Sequence, residues 1–82
     1  MSDVENAIRG YILEEFLPGE NPANLLSSTP LLSTRVLDSL AILKLVAFLE
    51  AEFDVTIEAY ETSEDYMDTI ADMARLVQSK KA

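Results

Sequence analysis

Residues 36–53 read VLDSLAILKLVAFLEAEF, and this segment is the most apolar part of the chain. Its pattern predicts a helix from about Ser39 to Phe53 that is apolar on nearly every side. Lys44 is the only charged residue in that helix before Glu50. Such a helix either lies at the centre of a core or keeps an apolar face for a partner. In a chain of 82 residues one side must meet solvent, so part of this face is a candidate contact surface.

The start of this helix carries a serine at a position suited to holding a phosphate. Ser39 falls in the first turn, where backbone N–H groups have no intrahelical partner and the helix dipole is positive. The alternative is structural: Asp38 or Ser39 caps the helix, a role that both residue types fill well. Taken alone, Asp38-Ser39-Leu40 favours the cap, because short motifs often match by chance.

The composition excludes several kinds of site. The chain has no cysteine and no histidine, which excludes a disulfide framework, a Cys/His zinc site and any Ser-His or Cys-His catalytic pair. Its 15 Asp and Glu residues single out no acid–base pair. Its two glycines, Gly10 and Gly19, lie in neither a calcium loop nor a glycine-rich phosphate loop. We therefore expect neither intrinsic catalysis nor a metal site.

The net charge of −9 limits the partners of the chain. An acidic surface repels nucleic acid and anionic membranes and favours basic proteins. Residues 50–72 contain nine acids and no Lys or Arg, which indicates a solvated face, a docking surface for basic partners, or both. No apolar run is long enough to span a bilayer, and residues 1–5 lack the features of a signal peptide. We expect a soluble, cytoplasmic domain.

The whole pattern predicts an all-α fold: a small four-helix bundle of three main helices and one short helix, in a single domain over residues 1–82. The first helix is expected to begin with a capping box of Ser2 and Glu5 and to run to about Leu17, before Pro18-Gly19. A long loop, residues 18–38, then separates the first two helices, and Asn21-Pro22 could start one helical turn in it. The loop is expected to pack against the helices through its apolar residues, Leu25, Leu26, Leu31, Leu32, Val36 and Leu37.

The second half of the chain predicts a connector and two helices. Residues 53–57 alternate like a strand but have no clear pairing partner, so we expect an extended connector that buries Phe53, Val55 and Ile57. A short third helix is expected over Glu64–Met67. The last helix is expected to be capped by Asp68 or Thr69. Its apolar stripe consists of Ile70, Met73, Ala74 and Val77, with Leu76 widening it.

These residues together resemble the acyl carrier protein family, which includes acyl, aminoacyl and peptidyl carriers. The likeness is carried by Asp38-Ser39-Leu40, then by Leu43, Leu45-Val46, Leu49-Glu50 and Glu52-Phe53, and further by Asp54-Val55-Thr56-Ile57 and Thr69-Ile70-Ala71-Asp72. The resemblance covers nearly the whole chain, weakly in residues 1–28 and strongly from Thr29 onward.

The resemblance implies a non-catalytic carrier. Ser39 would receive a 4′-phosphopantetheine arm from coenzyme A, with Asp38 and Leu40 as motif flanks. A separate phosphopantetheinyl transferase would supply Mg²⁺ and the catalysis. The thiol of the arm would hold an acyl or aminoacyl thioester, which fits a chain without cysteine. Further partners would be an acyl- or aminoacyl-loading ligase (an adenylation enzyme) and a downstream synthase, oxidase or transferase, each meeting a monomer at a docking face formed by Leu40, Lys44, Ala47, Glu50 and Ala51.

Some residues depart from the family pattern. Val36 stands where many members have glycine. Fatty-acid carriers often show several acids along the second helix, whereas this chain has Ala41, Lys44, Ala47 and Ala51 at or near the outward positions. Docking should therefore be more apolar and less electrostatic. Together with Thr29-Pro30-Leu31-Leu32, this favours a stand-alone carrier of a specialised pathway, with the acyl, polyketide or amino-acid cargo left open. The alternative from another class is an acidic helical adaptor that binds a basic protein and is never modified.

Overall fold

Four α-helices account for most of residues 3–81, the part of the chain that the computed structural model describes. They are α1 (Asp3–Glu15), α2 (Ser39–Phe53), α3 (Glu64–Met67) and α4 (Ile70–Lys81). Two short 3₁₀ turns, Pro22–Asn24 and Ala59–Thr62, lie in the connecting segments. Residues 3–81 contain no strand. The all-helical fold, with a long gap between the first two helices, is confirmed. The capping role expected for Ser2 lies outside the described residues.

One apolar stripe on each of the three longer helices forms the core. α2 buries Ala41, Leu45 and Leu49, which follow one another at four-residue spacing and therefore share one face. α1 buries Ile8 and Ile12 in the same way. The predicted stripe of α4 is buried in full: Ile70, Met73, Ala74, Leu76 and Val77. Burying a side chain the size of leucine contributes about 1.5–3 kcal/mol, so these stripes hold the helices together.

An aromatic cluster joins α1 to α2. The ring of Tyr11 stacks on that of Phe48 at 4.1 Å between centroids and meets Phe16 edge-on at 5.7 Å. The Tyr11 hydroxyl donates to the carbonyl of Lys44 at 3.2 Å. Burial, with the nearby Glu15 carboxylate, raises the pKa of Tyr11 further above neutral pH, at which a tyrosine hydroxyl is in any case protonated and able to donate. These contacts fix the position of α1 along α2.

The long loop is anchored by three buried leucines, Leu25, Leu31 and Leu37. Leu32 is half-buried. The expectation that Leu26 and Val36 would also pack inward is wrong, because they are 58% and 46% exposed. Leu26 lies in a tight turn in which its N–H donates to the hydroxyl of Thr29 and its carbonyl accepts the Thr29 N–H. Such a turn lies on the surface, so the Leu26 side chain faces solvent.

Two local predictions need correction. α1 ends at Glu15, two residues before Leu17, because the N–H groups of Phe16 and Leu17 both donate to the carbonyl of Ile12 and close the helix. The connector buries Ile57 only, since Phe53 and Val55 are half-buried.

The second half contains one turn that was not predicted, and one of the two predicted caps of α4 is confirmed. Between the connector and α3 lies the unexpected 3₁₀ turn Ala59–Thr62, held by reciprocal bonds between Glu58 and Glu61. At the start of α4 the hydroxyl of Thr69 accepts the N–H of Asp72 at 3.0 Å, so Thr69 is the capping residue and Asp68 is not. None of the helices in residues 3–81 is both long and apolar enough to cross a membrane.

Candidate functional site

Asp38 caps α2. Its backbone is extended, with φ −91° and ψ −176°, and its carbonyl accepts the N–H of Ile42 at 3.0 Å. Its side-chain Oδ1 accepts the N–H of Ala41 at 2.8 Å. A cap of this kind satisfies one of the orphan N–H groups of the first turn. The sequence left open whether Asp38 or Ser39 caps the helix, and in the structure Asp38 does.

Ser39 is the first residue of α2, and its side chain is exposed. Among residues 3–81 its hydroxyl has no hydrogen-bond partner. It lies in the electropositive first turn of a 15-residue helix, which is a favourable place for an anionic group. A hydroxyl that is exposed, unpaired and held on a rigid helix is chemically suited to being esterified by another protein.

The segment that leads into Ser39 is a closed loop. The N–H of Leu37 donates to the carbonyl of Leu31 at 3.1 Å, and both side chains are buried. Inside the loop, Arg35 has the left-handed φ of 63°, and its N–H donates to the carbonyl of Leu32 at 3.1 Å. Leu31 and Leu37 therefore hold both ends of the loop. Because Leu37 is buried, the position of the next residue, Asp38, at the start of α2 is fixed as well.

Asp68, in the connection between α3 and α4, anchors this loop. Its Oδ1 accepts the N–H groups of Leu31 at 3.1 Å, Leu32 at 2.9 Å and Ser33 at 2.9 Å, and its Oδ2 accepts the Ser33 hydroxyl at 2.9 Å. Bonds from Ser33, above all its backbone N–H, together with those from Leu32 and Leu31, lower the pKa of Asp68. Sequence reasoning missed this role, because the partners are 35 or more residues away and no local pattern reports such a contact.

The outward face of α2 beside Ser39 is apolar. Leu40 is 63% exposed and Leu43 is 67% exposed. Lys44, Ala47 and Ala51, three of the residues that the sequence analysis assigned to a docking face, are exposed on the same helix. Leu43 was not among the predicted docking residues, although its position three residues after Leu40 could have indicated it.

Glu50, the remaining member of the predicted docking face, has a structural contact. Its side chain is half-buried, and its Oε2 accepts the N–H of Ile57 at 2.9 Å. This bond ties the connector to α2. The carboxylate is therefore partly engaged within the chain.

An apolar groove runs from Ser39 along α2. Its volume is about 640 Å³, and it opens to solvent. It lies between α2 and the 3₁₀ turn Ala59–Thr62, and the residues that line it are Ser39, Ile42, Leu43, Val46, Ile57, Ala59 and Thr62. An apolar chain attached near Ser39 could lie in this groove and remove its surface from water.

The acidic stretch of residues 50–72 does not belong wholly to a solvated face. Glu61 is only 7% exposed and forms a salt bridge with Lys80 at 2.7 Å. The hydrogen bond from Lys80, with a further one from the backbone N–H of Glu58, lowers the pKa of Glu61. Asp68 is likewise engaged in the fold. Within residues 3–81 no cluster of three or more acidic side chains could hold a metal ion.

Comparison with known proteins gives the family. No family model matches the chain. A curated protein, the "Probable acyl carrier protein PigG" of Serratia sp. (strain ATCC 39006), is 38% identical to it over 79 residues, which are 96% of this chain and 90% of that protein. The match thus extends over nearly the whole length of both proteins, beyond the residues that carried the resemblance. The chain belongs to the acyl carrier protein family and is a carrier rather than an enzyme.

Proposed function

We propose that Ser39 carries a 4′-phosphopantetheine arm and that the chain holds an acyl or aminoacyl intermediate on that arm as a thioester. The family generally carries such an arm. One observation at the start of α2 gives the strongest support for Ser39 as the attachment site. Asp38 makes the capping bond, and the exposed Ser39 hydroxyl has no hydrogen-bond partner within residues 3–81.

The attachment is a phosphoryl transfer on the Ser39 oxygen. That oxygen bonds to the phosphorus that bears pantetheine, and the bond between this phosphorus and the second phosphate of coenzyme A breaks. The products are the phosphodiester on Ser39 and adenosine 3′,5′-bisphosphate, and the hydroxyl proton passes to a base of the transferase. The chain itself supplies the exposed hydroxyl and the rigid helix end that presents it.

Partner enzymes are proposed to dock on the exposed face of α2. Leu40 and Leu43 supply most of its apolar surface, and Lys44, Ala47 and Ala51 continue it. Glu50 remains part of this proposal at the far end, although it also holds Ile57. Carriers of this family work with modifying and synthase enzymes. Here they would be a phosphopantetheinyl transferase, a loading ligase, and a downstream synthase, oxidase or transferase.

The proposal places the carrier in a specialised biosynthetic pathway in the cytoplasm, as a single domain over residues 1–82. The apolar character of the docking face supports partners that differ from those of acidic fatty-acid carriers. An aminoacyl and an acyl cargo are both compatible with the groove beside Ser39, since only part of a thioester-bound group would need to enter it.

The test is intact mass after incubation with coenzyme A, Mg²⁺ and a broad-specificity phosphopantetheinyl transferase. The wild-type chain should gain one arm, and fragmentation should locate it on Ser39. Ser39→Ala should gain none and keep its helical circular dichroism, because Asp38 still caps α2.

The matched control is Ser63→Ala, which removes a second exposed serine from the surface around Ser39. This variant should be modified as fast as the wild type. Absence of any addition to the folded wild-type chain, with another carrier modified in parallel, would contradict the proposal and favour an unmodified adaptor. Loss of helix in Ser39→Ala would assign a structural role to this serine.

A further inference from the structure

We infer that Arg35 binds the phosphodiester of an arm attached to Ser39 and thereby sets the direction in which the arm leaves the helix. This inference rests on the proposed function. It names a binding residue outside the Asp38-Ser39-Leu40 motif and outside α2.

The first support is that the charged group of Arg35 has no partner in the described part of the chain, whereas most of the other Lys and Arg side chains have one. There are six Lys and Arg residues. Four of them have a partner within the chain: Arg9 donates to the Leu25 carbonyl and to Ser27, Arg75 pairs with Asp72, Lys80 pairs with Glu61, and Lys81 donates to the Phe53 carbonyl. Over residues 3–81, only Arg35 and Lys44 have charged groups without a hydrogen-bond or salt-bridge partner.

The second support is location. Arg35 and Ser39 line one groove of about 430 Å³, which we call the Arg35 groove. Asp38 and Glu64 line it as well, and among the residues described Arg35 is its only cation. A phosphodiester on Ser39 would add a negative charge beside these two carboxylates. A guanidinium in the same groove offsets that repulsion and can donate two parallel hydrogen bonds to phosphate oxygens.

The third support is backbone conformation. Arg35 has the left-handed φ of 63°, a region that asparagine and glycine adopt more readily than arginine. The fold holds it there through the Leu32 carbonyl and the bonds of Asp68 to the loop. Arginine at this position carries a conformational cost without an internal contact for its charged group. An anion bound in the Arg35 groove accounts for an arginine at this position.

Lys44 provides the matched comparison. It is also an unpaired cation near the start of α2, but it lines a different groove together with Glu15, Leu40 and Ala41, and Ser39 is absent from that lining. Lys44→Gln therefore removes the same charge from the neighbourhood without removing a group from the Arg35 groove.

The experiment measures the melting temperature of the unmodified and the modified forms of the wild type, Arg35→Asn and Lys44→Gln. Complete conversion is verified by intact mass, and long incubation compensates for any slower modification. Arg35→Asn should raise the melting temperature of the unmodified form, because asparagine suits the left-handed backbone. We compare the shift in melting temperature that modification causes, which is the value for the modified form minus the value for the unmodified form. At low salt this shift should be about 2–4 °C lower in Arg35→Asn than in the wild type, as expected for the loss of one exposed ion pair in a domain of this size.

In Lys44→Gln, modification should shift the melting temperature by the same amount as in the wild type. The difference between Arg35→Asn and wild type should shrink in about 0.5 M NaCl, because salt screens an exposed pair. A second readout is nuclear magnetic resonance, in which the Arg35 Nε–H signal should shift on modification in the wild type.

Two outcomes would overturn the inference. If modification changes the melting temperature of Arg35→Asn and wild type equally, Arg35 does not hold the phosphodiester, and a slower modification rate alone would then assign Arg35 to transferase docking. If the wild type gains no mass, the proposed function fails and the inference fails with it. Because mass is measured first, the two failures are distinguishable.

Discussion

The carboxylate of Asp38 accepts the N–H of Ala41, which leaves the Ser39 side chain without a capping bond to make. Replacing Asp38 by alanine should lower the free energy of unfolding by about 1 kcal/mol, since one N–H of the first turn loses its acceptor. Asp38→Asn should keep most of that stability, because the amide oxygen can accept the same bond. Urea unfolding followed by circular dichroism measures both. Equal stability of the alanine variant and the wild type would show that the cap contributes nothing.

The sequence predicted the pair Asp38-Ser39 but not which residue caps the helix. Both types are good caps, and the difference lies in the backbone: residue 38 is extended and residue 39 is helical. A pattern of residue types does not report where an extended segment ends to within one residue. Arg35 was missed for a related reason, since neither its left-handed backbone nor its place beside Ser39 has a signature in the residues around it.

The outward face of α2 contributes to recognition rather than to stability if the proposed docking face is right. Leu43 is 67% exposed, so Leu43→Gln should change the free energy of unfolding by less than about 0.5 kcal/mol. It should lower the rate of modification by the transferase several-fold, because an apolar contact is lost at the docking face. The measurement is the initial rate of arm transfer followed by intact mass.

Leu26→Gln is the control for this prediction. Leu26 is 58% exposed, a similar fraction, but it lies in the long loop and not on α2. The control should be modified at the wild-type rate. Equal rates for the Leu43 and Leu26 variants would remove Leu43 from the docking face.

The loop of residues 31–37 depends on one carboxylate in the α3–α4 connection. Asp68→Ala should lower the free energy of unfolding by about 1–3 kcal/mol, because the N–H groups of Leu32 and Ser33 lose a charged acceptor. The N–H of Leu31 keeps its bond to the main-chain carbonyl of residue 68, which is 2.7 Å long. The effect should be local as well: amide hydrogen exchange should speed up at Leu32 and Ser33 more than in α1. Asp65→Ala, which removes an exposed acid from α3, should leave this exchange unchanged. Unaltered exchange in the Asp68 variant would contradict the anchoring role.

Regular elements were more predictable than their connections. The helical spacing predicted the buried stripe of α4 in full, because a helix that packs on a core repeats its apolar residues every three or four positions. For α2 the sequence predicted a helix apolar on nearly every side and did not single out the buried face of Ala41, Leu45 and Leu49. The connections depend on contacts between distant residues. Asp68 was one of the two candidates for the cap of α4, yet the partners of its carboxylate lie in the first long loop. The second 3₁₀ turn is held by hydrogen bonds between Glu58 and Glu61, and a turn held in this way has no apolar periodicity from which it could be predicted.

The molecule as a whole combines a large negative charge with two carboxylates that its fold requires in the charged form. The pKa of Glu61 is lowered mainly by the hydrogen bond that its carboxylate accepts from Lys80, and that of Asp68 mainly by the bond that it accepts from the N–H of Ser33. A group whose pKa is lower in the folded state binds fewer protons there than in the unfolded chain. Its contribution to stability is therefore complete above its ordinary pKa and is lost as the pH falls through the lowered value.

The remaining acids have the opposite effect on the pH dependence of stability: their protonation at low pH favours the folded state. With a net charge of −9, the folded chain repels itself, and protonating its exposed carboxylates relieves that repulsion. The bonds of Glu61 and Asp68 act over hydrogen-bond distance inside the fold, whereas the repulsion is spread over an exposed and screened surface, so we expect the two specific groups to dominate.

The wild-type free energy of unfolding should therefore be constant from pH 7 to about pH 5 and fall below it, as urea unfolding at a series of pH values would measure. The double variant Glu61→Gln/Asp68→Asn should be less stable at pH 7, because the charged acceptors of both anchors are gone. It should also lose less stability on acidification, because neither anchor can then be protonated. Parallel pH profiles for the two proteins would mean that the acid sensitivity of the fold arises elsewhere among the 15 acids.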